Sequence, residues 1–224
     1  MAVGVTTQPP SIDGRWQAGE WENAVEYNLA IGSISNVKTS PTIRLLHDNT
    51  TLYGLIDVPS DSGGSYTDSN GHINYGSVML TFNNFANTTQ PIIWVSLETD
   101  YKQLAGVGVI CQCSTQLAAE IKSHTSASTG LTTTSSSNAK HRIWEFSLQL
   151  YPNITPKPLT QNASSIGFNA QVSDSEDNQM SLVAASKVAQ LSFAAIPLPD
   201  ITNIAVMLSF SMIVFLLLLR KRRI

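Results

Sequence analysis

Between residues 42 and 186 the chain repeats one pattern, a short apolar-rich run followed by a cluster of turn residues. Such runs occupy 42–47, 51–58, 77–82, 91–99, 104–110, 142–150, 166–173 and 180–186, with Gly, Asn, Asp, Ser and Pro between them. These are strand lengths, and outside the C-terminal tail no long segment repeats apolar residues at i, i+3, i+4, i+7. The chain is therefore expected to be an all-β sandwich. Asp48-Asn49-Thr50, between two runs, predicts a tight hairpin turn, because Asp and Asn side chains bond to backbone two residues on. Residues 116–122 fit one helical turn or another strand. Residues 123–140 hold almost no large apolar side chain and 152–162 hold three prolines, so both read as loops.

Alternation assigns faces, since successive side chains of a strand point to opposite sides. Ile166, Phe168, Ala170 and Val172 share one side, and Gly167, Asn169, Gln171 and Ser173 the other. Trp144, Phe146, Leu148 and Leu150 lie opposite Glu145, Ser147 and Gln149, which makes Trp144 a core residue. Ile93, Val95 and Leu97 form an inward set. Trp94 then points outward with Ser96 and Glu98, an unusual position for so large an apolar ring.

Charged residues make up only 13%, against about 25% in ordinary domains, while the chain holds 27 Ser, 20 Thr and 15 Asn. The surface is expected to be polar but uncharged. A net charge of −3 with pI ≈ 5.7 leaves no basic footprint for nucleic acid. Two cysteines exclude a disulfide scaffold, and Cys111 and Cys113 are too close for an ordinary disulfide. They read as small apolar residues. No Ser-His-Asp order, G-x-S-x-G, phosphate loop or dinucleotide fingerprint is present, so no catalytic residue is assigned.

The tail differs. Residues 201–219 carry no charge and end in eight consecutive apolar residues. A helix of that length rises about 28 Å, close to the hydrocarbon thickness of a bilayer. The segment is read as a single transmembrane α-helix, and Arg220, Lys221, Arg222 and Arg223 mark its cytoplasmic side. Without those four, 9 basic residues face 16 acidic ones, a balance of −7 that belongs to the part outside the cell. The first residues show no basic start and no apolar stretch of signal-peptide kind. Either a signal has been removed, the reading favoured here, or the chain is tail-anchored with its domain in the cytosol. Asn49, Asn87, Asn153 and Asn162 each begin a glycosylation acceptor pattern.

The order of motifs is more specific than any one of them. Ile12-Asp13-Gly14, then Gly19-Glu20-Trp21 and Ala24, open the domain. Residues 42–48 and 51–58 follow as a hairpin, and Trp144-Glu145-Phe146 and 166–174 come late. This set resembles the family 9 carbohydrate-binding modules and the wider DOMON-like group over residues 11–187. The resemblance implies a jelly-roll-like antiparallel β-sandwich, often extracellular, often sugar-binding, sometimes with structural calcium. The expected organisation is an N-terminal segment 1–10, the sandwich 11–187, a Pro-containing spacer 188–200, the membrane helix 201–219 and a basic tail 220–224.

Sugar binding needs aromatic faces surrounded by hydrogen-bonding groups. Trp94, by its outward parity, and Trp16, in a polar segment, are the main candidates, with Tyr101 behind them and Tyr66 and Tyr75 weaker. Trp94 packed beneath a loop is the plainer alternative. Calcium takes six to eight oxygens. Asp57, Asp61 and Asp68, around a Gly/Ser loop, are its candidate ligands, the alternative being a solvated loop. The expected function is a membrane-anchored, non-catalytic cell-surface domain whose partner is a glycan or cell-envelope polymer. A structural or adhesion protein contacting other proteins is the rival. A haem-binding redox domain, with Met79 or Met180 as an axial ligand, is a third reading.

Overall fold

A computed structural model of the chain describes residues 1–31, 40–48, 50–67, 71, 73–83, 93–99, 105–111, 115–149, 165–174, 179–182 and 189–193. The strands are β1 (Ala2–Val5), β2 (Val25–Asn28), β3 (Ala30–Ile31), β4 (Thr42–His47), β5 (Thr51–Val58), β6 (Tyr66–Thr67), β7 (Ile73–Asn74), β8 (Ser77–Asn83), β9 (Ile93–Thr99) and β10 (Ala105–Cys111). After α1 (Thr115–Ser123) come β11 (Thr125–Thr134), β12 (Ser137–Gln149), β13 (Ser165–Ser173), β14 (Gln179–Ser181) and β15 (Ala189–Phe193).

Two sheets face each other. The front sheet runs β10-β9-β8-β13-β15 and the back sheet β4-β5-β12-β11. β1 joins them: its Ala2 and Val3 pair in parallel with β15, and its Gly4 and Val5 with β4. β2 adds to β4, while β14 pairs with β13 and carries β3. Between the sheets lies the main core, with Val78, Leu80, Phe82, Val95, Leu97, Phe168 and Val172 from the front against Ile43, Leu45, Leu52, Ile56, Trp144 and Phe146 from the back. α1 packs on β10 and β11, and its Ile121 enters the core between their edges.

The back sheet is buried on its outer side too. Leu46, Tyr53, Leu55 and Ile143 point away from the main core and are covered by Trp21, with Ile12, Trp16 and Ala24 packed around them. Residues 11–24 thus form a strap across that face. Asp13 and Gly14 donate backbone N–H bonds of 3.0 and 2.7 Å to Glu145 Oε2. Gly14 sits at φ 77°, and a Cβ there would come within 2.5 Å of the Thr129 carbonyl oxygen. Only glycine fits that conformation in that space. The motif residues Ile12-Asp13-Gly14, Trp21 and Glu145 are therefore parts of one docking contact.

Several expectations change. Residues 123–140 are not a loop: they form β11, the turn at Ser135–Ser136 and the start of β12. The inward positions of β11 opposite Leu148, Phe146 and Trp144 are Thr125, Ala127 and Thr129, none of them a large apolar residue. Thr125 and Thr129 point their hydroxyls at the Ile121 and Ile143 carbonyls, 2.8 and 2.7 Å away, so polar residues fill core positions with their bonds made. β1 and β15 lie inside the sheets, so the sandwich extends beyond 11–187, into the expected N-terminal segment and spacer. Residues 116–122 are helical. The hairpin turn is as expected: Asp48 Oδ1 accepts the Thr50 and Thr51 N–H groups and Tyr53 donates to Oδ2 at 2.6 Å. Among the described residues no helix is long and apolar enough to cross a membrane. Residues 201–219 lie outside the described residues.

The tightest approach in the core is at Gly54, where a Cβ would fall 2.1 Å from the Phe146 ring. Gly54→Ala should destabilise the fold by about 1–3 kcal/mol, the usual effect of overpacking. An unchanged urea midpoint would show that the ring yields at no cost.

Candidate functional site

The outer face of the front sheet is built from the polar halves of four alternating strands. Strand pairing sets three rows across it. The first is Ile110, Trp94, Thr81 and Asn169. The second is Gly108, Ser96, Met79 and Gln171. The third is Gly106, Glu98, Ser77 and Ser173. Strands lie about 4.8 Å apart, so each row crosses about 14 Å. Trp94, Thr81, Met79, Gln171 and Ser173 are partly exposed, Glu98 is exposed, and Ser96 and Asn169 form a buried floor. On β10 the second and third rows end in glycine. A Cβ at Gly108 would lie 2.3 Å from Ser96 Oγ, so its absence leaves a flat lane beside Trp94.

The chemistry of this face is uniform. Hydroxyls, amides and the Met79 thioether share the face with one indole ring, and Glu98 is the one ionisable group among the described strand residues of the face. Such a surface offers hydrogen bonds in both directions and one broad apolar plane. Sequence parity located Trp94, Ser96 and Glu98 on one side and Asn169, Gln171 and Ser173 on one side. It did not reveal that β8 lies between them and adds Thr81 and Met79, because strand order is not written in alternation.

Trp16 lies on the other side of the molecule. It packs in the strap layer on the back sheet, with the Arg44 guanidinium 4.5 Å from its ring centroid. Arg44 is in turn held by Glu26 at 2.6 Å. Trp94 and Trp16 are therefore on opposite outer faces and cannot clamp one ligand. Tyr101 lies outside the described residues, as do Asn49, Asn87, Asn153 and Asn162.

Asp57 and Asp61 are bound by protein groups. Asp57 Oδ1 takes His141 Nε2 at 2.6 Å, and Oδ2 accepts Thr134 and Ser136 hydroxyls at 2.7 Å each. Asp61 Oδ2 accepts Arg142 Nε at 2.9 Å and Oδ1 the Gly63 N–H. The two cations come from adjacent residues of β12. Asp68 lies outside the described residues. Among the described residues no group of three or more His, Cys, Asp or Glu side chains converges as a metal site. Met79 is on the outer face of the front sheet, whereas Met180 is in the main core.

His141 also faces the Ala139 carbonyl through Nδ1 at 2.8 Å. Both ring nitrogens meet acceptors, so the ring is held as the imidazolium. Burial alone would lower its pKa, but the bond to Asp57, the Ala139 carbonyl and the Asp57 charge together raise it. Burial would raise Asp57, and the bonds from His141, Ser136 and Thr134 outweigh it and lower the pKa. The His141 contribution is then full below its unfolded value of 6.5 and is lost as pH rises through the higher folded value. The Asp57 contribution is present above 3.8 and is lost as pH falls through the lower folded value. Near pH 6, His141→Gln should cost about 3–5 kcal/mol, as for a broken buried pair. The difference in melting temperature from wild type should shrink toward pH 9, and a difference independent of pH would refute the ion pair.

No family model matches the chain, and no curated protein matches its sequence. Solved structures do share its fold. One is a family 9 carbohydrate-binding module from Caldicellulosiruptor kristjanssonii in complex with glucose: 16% identity, 88% of this chain and 96% of that chain covered, TM-score 0.57. A second is such a module from the same organism in complex with cellotriose: 17% identity, 89% and 100% covered, TM-score 0.55.

Proposed function

We propose that this chain is a non-catalytic glycan-binding domain whose ligand lies on the outer face of the front sheet, held at the cell surface by residues 201–219. The observation that carries the reading is Trp94, a partly exposed indole on a strand face that also carries Thr81, Ser96 and Gln171. A pyranose ring presents C–H groups on its flat sides and hydroxyls around its rim. An indole plane with Thr81, Asn169, Ser96 and Gln171 around it matches both. The structural likeness supports the fold on which such a site would stand, and the likened modules were solved with glucose and with cellotriose.

Charge narrows the ligand. Glu98 repels acidic sugars, and the described face has no Lys, Arg or His to hold them. The ligand is accordingly a neutral polysaccharide. Calorimetry on the full chain in a detergent without a sugar headgroup should show heat with neutral oligosaccharides and none with uronic-acid oligomers. Trp94→Ala should weaken binding at least about tenfold, the usual effect of losing a central aromatic contact. Silence toward every neutral glycan, or unchanged affinity in Trp94→Ala, would refute the site.

A further inference from the structure

The strap on the back sheet is held through a carboxyl group in a site with no cation. Glu145 is fully buried. Its Oε2 accepts both the Asp13 and Gly14 N–H groups, whereas its Oε1 is buried with no hydrogen-bond partner. Two further carboxylates come from the strap. Asp13 directs its oxygens to the Arg15 N–H and the Gln17 side chain, and Glu20 accepts the Ser11 N–H through Oε1, with Oε2 buried and unpartnered. Among the described residues, other elements bring no compensating charge. The register partners of Glu145 are Leu55 on β5 and Ser128 on β11. Arg44 on β4, one strand beyond Leu55, is taken by Glu26 and lies over Trp16.

We propose that Glu145 is a proton-operated latch: protonated, it holds residues 11–24 against the back sheet, and deprotonated, it lets them lift. The neutral acid keeps both N–H bonds through Oε2 and spares the site a third carboxylate charge. The anion would place charge on Oε1, where no donor meets it, facing Asp13 and Glu20. Burial is the largest influence and raises the pKa. The Gly14 and Asp13 N–H bonds oppose it, the Asp13 and Glu20 charges add to it, and the value reaches about 7. The strap also forms one wall of a cleft of about 490 Å³, with Ala18, Gly19 and Glu20 on one side and Gln8, Pro9 and Pro10 on the other. Lifting the strap therefore opens that cleft.

The direction follows from proton counting. Below the ordinary glutamate value of 4.5 both states are protonated and the strap is most firmly closed. Between 4.5 and about 7 the closed state keeps a proton that the open state has released, so each pH unit favours opening about tenfold. Above about 7 the effect levels off.

Amide hydrogen exchange of the full chain, corrected for the intrinsic pH dependence of exchange, reads this directly. Protection of residues 11–24 should fall about tenfold per pH unit over that interval. Glu145→Gln keeps an acceptor for both N–H groups and should abolish the dependence. Glu20→Gln removes one repelling charge and should move the upper limit to lower pH. Constant protection in the wild type, or an unchanged slope in Glu145→Gln, would overturn the latch. If Glu145→Gln does not fold, Glu20→Gln decides: a lowered limit supports the proposal and an unshifted one refutes it.

Discussion

Along β12 consecutive residues serve different surroundings, and its register against β5 keeps them there. Trp144 and Phe146 point into the main core opposite Ile56 and Gly54. Ile143 and Glu145 point to the strap, beside Leu55. At the start of the strand His141 and Arg142 reach opposite sides to Asp57 and Asp61. A slip of one residue would send Glu145 into the apolar core and Trp144 under the strap. The buried ion pairs add a directional check that apolar packing lacks, since removing one partner leaves a charge uncompensated. The strap, the hairpin and the sandwich core all depend on this pairing.

Burial of the back sheet on both sides leaves the outer face of the front sheet as the more open of the two. The strap, Trp21 and the Arg44-covered Trp16 fill the outer side of the back sheet. The front sheet has the opposite design, with Phe82 and Phe168 inward, 5.3 Å apart, and hydroxyls and amides outward. Trp94 on that polar side is thus not the remnant of a second core layer. Its register partners are Thr81 on β8 and Ile110 on β10, and Ser96 and Gly108 form the next row.

What was legible in the sequence was local. β4 and β5 run from Thr42 to His47 and from Thr51 to Val58, as the apolar runs and the Asp48 turn imply. Trp144 is buried and Trp94 faces out, as alternation requires. β11 was hidden because its inward residues are Thr125, Ala127 and Thr129, of which the threonines pack through a methyl group while the hydroxyl bonds to backbone. β1 and β15 were hidden because their pairing joins residues near 2 and 192, a contact that no local window contains. The sequence shows Asp57 and Asp61 only as carboxylates close together. It does not show that His141 and Arg142 arrive from a distant strand to neutralise them.

The scarcity of charge is sharper in three dimensions than in composition. Asp57, Asp61, Arg142, Glu145 and Asp174 are buried, so a chain with 13% charged residues spends several of them inside. The described exterior mixes many hydroxyls and amides with scattered charges of both signs, such as Arg15, Glu22, Glu98, Lys122 and Lys140. Such a surface exerts little long-range steering, which needs clustered charge of one sign. Recognition on the Trp94 face, as proposed, would rest on close fit and hydrogen bonds, terms that act only in contact and are weakly screened by salt. Charge is used inward at one end of β12, where the pairs of Asp57 with His141 and Asp61 with Arg142 fix register, while the described outer face of the front sheet carries Glu98 as its one ionisable strand residue.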